Sequence, residues 1–202
     1  MFRRRILPVL VLPILLIPLS GLACIPEPAG DGASHWALKG EWSATLSGLS
    51  IRSVDGGEPE SATRDATVAV RFDDTGLTGV RLISPGLAWP EELAELRNPG
   101  DTAELTAMVH TFVMDVTATL RSVRLAEDHA LVVVEMQFSG QDVAHTVNGT
   151  ATQCLYVSAA EGGLQADAHV EFEYTHVGPG DTATEAISDA FTAQGLLTLV
   201  EP

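Results

Sequence analysis

Most of this chain alternates apolar and polar residues with a period of two, and no other feature constrains its fold as strongly. Val68, Val70 and Phe72 alternate with other residues, and the same spacing recurs near residues 130–138 and 170–174. Because successive side chains of a β-strand point to opposite faces, this alternation is typical of strands with one face on a core and one in water. The pattern therefore predicts an all-β domain.

Short polar or glycine-containing segments separate the alternating runs and predict turns between them. In Asp73-Asp74-Thr75-Gly76 the glycine can take the positive φ that a hairpin turn needs. Strands are predicted at residues 38–49, 65–73, 76–84, 107–125, 128–139, 143–158, 164–177 and 191–201. Strands joined by short turns form a single antiparallel meander, and about eight of them can close into a barrel without exposed edges. A two-sheet sandwich is the alternative architecture.

Three segments depart from simple alternation. The run 107–125 changes phase, which predicts a β-bulge near Arg121 and Ser122. Pro90 is followed by two acidic residues, a combination that suits the first turn of a helix, so one short helix is predicted near 90–97. A further helical turn is predicted within residues 182–190.

The first 23 residues have the layout of a signal peptide. A basic stretch with three arginines opens the chain, residues 6–19 are almost wholly apolar, and small residues precede Cys24. The apolar run is long enough to span a bilayer, but Pro8, Pro13 and Pro18 each remove a helix hydrogen bond. A cleaved N-terminal signal helix is therefore favoured over a permanent span, and an exported protein is expected.

The end of this leader, Gly21-Leu22-Ala23-Cys24, resembles the lipobox of bacterial lipoproteins. The resemblance implies a diacylglyceryl group on Cys24, cleavage before it, and a lipid anchor in the cell membrane or outer membrane, with the protein facing the periplasm or the cell surface. Gly21 departs from the family pattern, in which leucine or a similar residue is usual. Ordinary cleavage after Ala23 is the alternative. Residues 24–35 predict a flexible tether, and 36–202 a single β-rich domain.

The strongly acidic composition bears on the partners of the chain. Its net charge is −16, and removal of the three leader arginines would leave 8 basic residues against 27 acidic ones, or −19. Such a surface repels phosphate groups, so a nucleic-acid partner is not expected. The acidity favours solubility and does not determine the fold.

Gly40-Glu41-Trp42, at the start of the first predicted strand, resembles the Gly-x-Trp that opens lipocalin-type barrels. The resemblance implies a tryptophan packed across the closed end of a barrel and a central cavity for a small apolar ligand. The last predicted strand lacks the arginine that lies over this tryptophan in the family. A tryptophan that simply fills the core is the alternative.

Three residues at alternate positions, Asp167, His169 and Glu171, are the weak candidates for a metal site. They share one face of a strand, and carboxylates with imidazole are common metal ligands. Residues on one face lie about 6.5–7 Å apart along a strand, so two of them at most could reach one ion. Because Val170 and Phe172 take the core face, a solvated row is favoured, and no metal and no cofactor is expected.

The remaining motifs favour binding over catalysis. Neither a Gly-x-Ser-x-Gly elbow nor a phosphate-binding glycine loop is present in the sequence, so no catalytic residue is assigned and an enzyme is not expected.

A buried thiol is predicted at Cys154 if Cys24 carries lipid, and a Cys24–Cys154 disulfide is possible if it does not. The leading hypothesis is a membrane-anchored binding module for a small apolar ligand or lipid. The alternative is a structural or interaction protein of the cell envelope, with protein partners left open.

Overall fold

The computed structural model describes residues 36–85, 89–109, 112–178 and 184–200. The signal peptide and tether predicted at 1–35, with Cys24, lie outside the described residues. The elements in chain order are a 3-10 helix η1 (Trp36–Leu38) and the strands β1 (Gly40–Val54), β2 (Glu60–Asp73), β3 (Gly76–Arg81), β4 (Leu93–Ala94), β5 (Thr102–Val109), β6 (Phe112–Leu125), β7 (His129–Gln141), β8 (Thr146–Ala160), β9 (Gly163–Val177) and β10 (Thr184–Leu199).

All ten strands belong to one antiparallel sheet that curls into a nearly closed barrel. Neighbours in sequence are neighbours in the sheet, except that β1 pairs with β10 and the two sheet edges are β4 and β5. Because one continuous sheet encloses the core, the structure is a barrel and not the two-sheet sandwich. The predicted all-β antiparallel meander is confirmed, with ten strands in place of about eight.

The barrel interior is filled by the alternating apolar residues that the sequence pattern identifies. Val68, Val132, Val134 and Val170 are fully buried, and they belong to one cluster to which the inward residues of β1, β2 and β6–β10 contribute. The strands are therefore amphipathic in the expected sense, with one face inside the barrel and the other outside.

Part of the interior is occupied by the chain between β3 and β4, described for residues 82–85 and 89–92 and called the strap. Ile83 is fully buried, and its N–H donates to Oε1 of Gln153 at 2.8 Å. Nε2 of the same Gln153 donates to the carbonyl of Arg81 at 3.0 Å. Because Gln153 points inward from β8, it fixes the strap from across the barrel.

The aromatic side chain of the strap also packs inside the barrel. Trp89 meets Phe138 and Phe172 edge to face, with ring centroids 5.2 and 6.0 Å apart. Edge-to-face contacts of this kind add to the stabilisation from apolar burial. The strap is therefore part of the core and not a surface loop.

The single strand predicted at 107–125 is wrong, because the chain forms two strands there. β5 and β6 are a hairpin in which Val109 lies opposite Phe112, so the chain reverses between them. The predicted bulge is confirmed: the register of β6 against β7 shifts between Leu120 and Ser122. The bulge explains why inward residues change parity along β6.

Both helices predicted in the domain are wrong for the described residues. Leu93 and Ala94 form the short strand β4 against Arg81 and Val80, and Ala94 and Leu96 are both fully buried. This two-residue spacing is that of extended chain, and the edge of β3 supplies hydrogen bonds that outweigh the local helix signal at Pro90. Residues 184–190 belong to β10, which pairs with β9 along its length.

The two ends of the barrel differ in character. At the end where β1 begins, η1 places Leu38 in full burial, and the indole Nε1 of Trp42 donates to the Leu38 carbonyl at 2.7 Å. The nearly closed barrel is compatible with the lipocalin-like resemblance. The opposite end, where β1 turns into β2, is called the mouth. The β1–β2 turn there has Asp55 at φ 51° and Gly56 at φ 68°, the left-handed values of a type I′ hairpin.

A candidate ligand groove on the outer face

A groove of about 890 Å³ lies on the outside of the barrel and is here called the outer groove. It crosses six neighbouring strands, from β2 through β1, β10, β9 and β8 to β7. Strand register builds it from rows of outward-facing side chains. One row runs Leu49, Thr192, His169, Cys154 and Val133, and the next contains Gln194, Asp167, Tyr156 and Leu131.

The two sides of the outer groove are apolar, and its centre is polar. Leu49 on β1 stands at one side with 46 % of its surface exposed, and Leu131 and Tyr156 stand at the other. His169, Thr192 and the other polar residues lie between them. Sites of this kind combine apolar contact area with a few polar groups that orient a ligand.

The structure does not bring the three weak metal candidates together at one point. Asp167 and His169 line the outer groove, and His169 Nε2 lies 3.1 Å from a carboxylate oxygen of Glu171, which is not part of the lining. Within the described ranges, no group of three or more His, Cys, Asp or Glu side chains converges as a metal site would require. His169 has 22 % of its side chain exposed, so the row is less solvated than the alternation predicts.

Cys154 faces outward from β8 in the floor of the groove and is nevertheless buried, with 9 % of its surface exposed. Its sulfur is in a disulfide. The sequence contains one other cysteine, Cys24, which lies outside the described residues. Because Cys154 lines the outer groove, reduction of its disulfide would alter the surface on which a ligand would bind.

Sequence reasoning did not identify the residues that shape the outer groove. Leu49, Leu131 and Tyr156 are far apart in sequence, and only the register of β1, β10, β9, β8 and β7 brings them to one surface. The available signal was the presence of large apolar residues at outward positions of amphipathic strands. Leu131 and Leu49 break the polar side of their alternation, which is the pattern expected of a binding surface.

Comparison with known proteins leaves this geometry as the main source of functional information. No family model, no curated protein and no solved structure matches the chain. None of the helical residues described here forms a segment long and apolar enough to cross a bilayer.

Proposed function

We propose that the protein is an exported, membrane-anchored binding module whose outer groove holds a small apolar molecule or a lipid. The observation that carries this proposal is the groove itself, at about 890 Å³ with apolar sides. Small-molecule sites typically measure about 300–1,000 Å³ and are lined mainly by apolar groups. Catalysis is not proposed, since the polar groups of the groove form no nucleophile–base arrangement recognisable in the sequence.

The filled interior moves the ligand from the centre of the barrel to its outer face. The resemblance to lipocalin-type barrels implies a central cavity, but here Ile83 and Trp89 of the strap pack among the inward residues. The outer groove has the volume of an ordinary ligand site, and a ligand can enter it without displacing core side chains. His169 and Thr192 supply polar groups at its centre that can orient the polar end of a ligand.

A charge placed at one side of the groove tests this assignment. Leu49→Glu should weaken binding of Nile red, a neutral apolar dye, at least tenfold, because a carboxylate in an apolar contact costs upward of about 1.4 kcal/mol. The matched control is Met108→Glu on β5, where the side chain is 70 % exposed and lies outside the groove. It should leave the dissociation constant unchanged. Equal binding by the two variants, or none by the wild type, would reject the groove as the site.

A structural or interaction protein of the cell envelope is the second candidate function. The filled interior favours it, because a barrel whose core is occupied by its own strap is a rigid scaffold without a central ligand. Native mass spectrometry of protein purified from membranes separates the two. A co-purifying small molecule lost in Leu49→Glu supports the binding module, and its absence together with no dye binding supports the scaffold.

The proposed membrane anchor is a lipid on Cys24. The lipobox-like leader supports it. The disulfide at Cys154 counts against it, because Cys24 is the one other cysteine of the sequence and one sulfur cannot carry both a thioether-linked lipid and a disulfide. Mass measurement of the mature N-terminus should show a diacylglyceryl-sized addition in the wild type that is absent from Cys24→Ser, which should be released in soluble form. An unlipidated chain cut after Ala23, with Cys24 joined to Cys154, would overturn the anchor.

A further inference from the structure

Five polar side chains on the inward face of the barrel lie together near the mouth, where Glu60 on β2 and Glu185 on β10 also occupy inward register positions. They are called the mouth cluster and comprise Ser50, Arg52, Arg64, Tyr174 and Asp189. Arg52 on β1 lies directly opposite Asp189 on β10, and Tyr174 extends inward from β9 beside them. Charged groups in a barrel interior are costly, so their partners need to be accounted for.

The hydrogen bonds within the mouth cluster leave its positive charge poorly matched. Asp189 Oδ1 accepts from the Ser50 hydroxyl at 2.8 Å, and Arg64 Nη1 donates to the Pro85 carbonyl of the strap at 3.5 Å. Nε of Arg52 is buried without an acceptor among the described residues. Within that same part of the chain, neither guanidinium lies within 4.0 Å of a carboxylate oxygen. An unsatisfied buried donor of this kind destabilises the fold unless something accepts from it.

A small, largely enclosed cavity of about 20 Å³ lies among these groups. Its lining contains Arg52, Arg64, Tyr174 and Asp189, together with Ser84 and Pro85 of the strap and Phe172. A cavity of this size holds one particle comparable to a water molecule. Burial raises the pKa of Tyr174, so its phenol keeps its proton and can act as a hydrogen-bond donor.

We infer that this cavity is a binding site for one small monovalent anion, of which chloride is the type. Two guanidinium groups and one carboxylate give the lining a formal charge of +1, in a chain whose net charge is −16. A halide restores neutrality and accepts from Arg52 Nε, whereas sulfate, phosphate and organic carboxylates exceed the available volume. The ion would join the barrel wall to the strap. The site is independent of the outer groove and of the function proposed for it.

Thermal unfolding of the full chain in different sodium salts tests the site. Chloride and bromide should raise the midpoint temperature saturably, by about 3–6 °C at ten times the dissociation constant. Gluconate at the same ionic strength, which is too large to enter, should give no saturable rise. Arg52→Gln should abolish the halide response, whereas Arg121→Gln, which removes an exposed arginine on β6, should keep it.

Anomalous diffraction from crystals of the wild type grown in bromide supplies a measurement that does not depend on variant folding. A bromide peak between Arg52, Arg64 and Tyr174 is the expected result. Density for a water molecule with no anomalous signal, an equal temperature rise in gluconate, or a halide response that persists in Arg52→Gln would each overturn the inference.

Discussion

Asp73, at the end of β2, is a carboxylate that stabilises the end of the barrel opposite the mouth, where β1 begins. Its Oδ1 accepts from the hydroxyl of Thr75 at 2.5 Å and from the backbone N–H of Thr75 at 2.7 Å. Its Oδ2 accepts from Arg97 at 3.1 Å. These bonds, with the Thr75 hydroxyl first, lower the pKa of Asp73 from 3.8 to about 2. The charged form is therefore the one that the folded state favours.

Asp73→Asn should consequently reduce stability at neutral pH and flatten the acid side of the stability profile. Because the folded pKa lies below the unfolded one, the contribution of Asp73 is present above about pH 4 and is lost as the pH falls toward about 2. Urea unfolding at several pH values should show that the wild type takes up more protons on unfolding in this window than the variant, by at most one per molecule. Asp65→Asn, an exposed carboxylate on β2, is the control and should change the profile less.

Gln153 is the polar residue in the core with the clearest structural role. Gln153→Leu preserves the approximate volume but leaves the N–H of Ile83 and the carbonyl of Arg81 without their partner. We expect a loss of about 2–4 kcal/mol in the free energy of unfolding, measured in urea. Gln137→Leu, at an exposed position of β7, should stay within about 0.5 kcal/mol of the wild type. A similarly small effect at Gln153 would show that the strap is held by other contacts.

At the scale of elements, β8 and β9 pack tightly at Gly149, which lies opposite Tyr174. A Cβ added there would overlap the Cβ of Tyr174 and lie 2.5 Å from the carbonyl oxygen of Glu173. Gly149→Ala should therefore cost about 1–3 kcal/mol of stability, because backbone has to move. Gly178→Ala, where an added Cβ meets no atom within 4 Å, should be near neutral in the same assay.

The strands were predictable where their inward face is apolar and unpredictable where it is polar. The alternation located most of β7, β8 and β9, whose inward residues are mainly apolar. It missed residues 50–54 of β1 and 60–64 of β2, where Arg52 and Arg64 occupy inward positions and break the hydrophobic pattern. Period-two reasoning assumes that the interior excludes charge. The polar mouth cluster violates this assumption, so the ends of β1 and β2 that carry Arg52 and Arg64 were missed together with the cluster.

The helix predicted near 90–97 was wrong for a different reason. Local signals such as Pro90 and the acids after it are real but weak, and tertiary hydrogen bonding decided the outcome. Arg81 donates to the carbonyl of Glu91, and Arg71 pairs with Glu95 at 3.0 Å, so side chains of β2 and β3 hold this segment in extended form. The outer groove could not be predicted for a related reason, because it depends on the register of six strands that no single segment encodes.

For the whole molecule, the two edge strands β4 and β5 face each other across a gap in the barrel wall, here called the seam. Backbone amides at the seam should exchange with solvent faster than those elsewhere in the barrel. β4 has two residues and pairs with β3 alone, while β5 pairs with β6 alone. β9 is hydrogen-bonded on both sides along its length. Hydrogen exchange should therefore be at least about 100-fold slower for amides in the centre of β9 than for the free-edge amides of β5. Equal protection would mean that the seam is bridged.

The pairing of β1 with β10 also fixes when the barrel can be completed. Trp42 lies opposite Leu199, so the first strand takes its second neighbour from the far end of the chain. Contacts this distant in sequence make folding slow, on the order of milliseconds to seconds. A ribosome delivers β1 first and β10 last. The hairpins from β5 to β9 can form as they emerge, but the ring cannot close until β10 has been synthesised, so loss of this sixteen-residue strand would leave β1 and β9 as exposed edges.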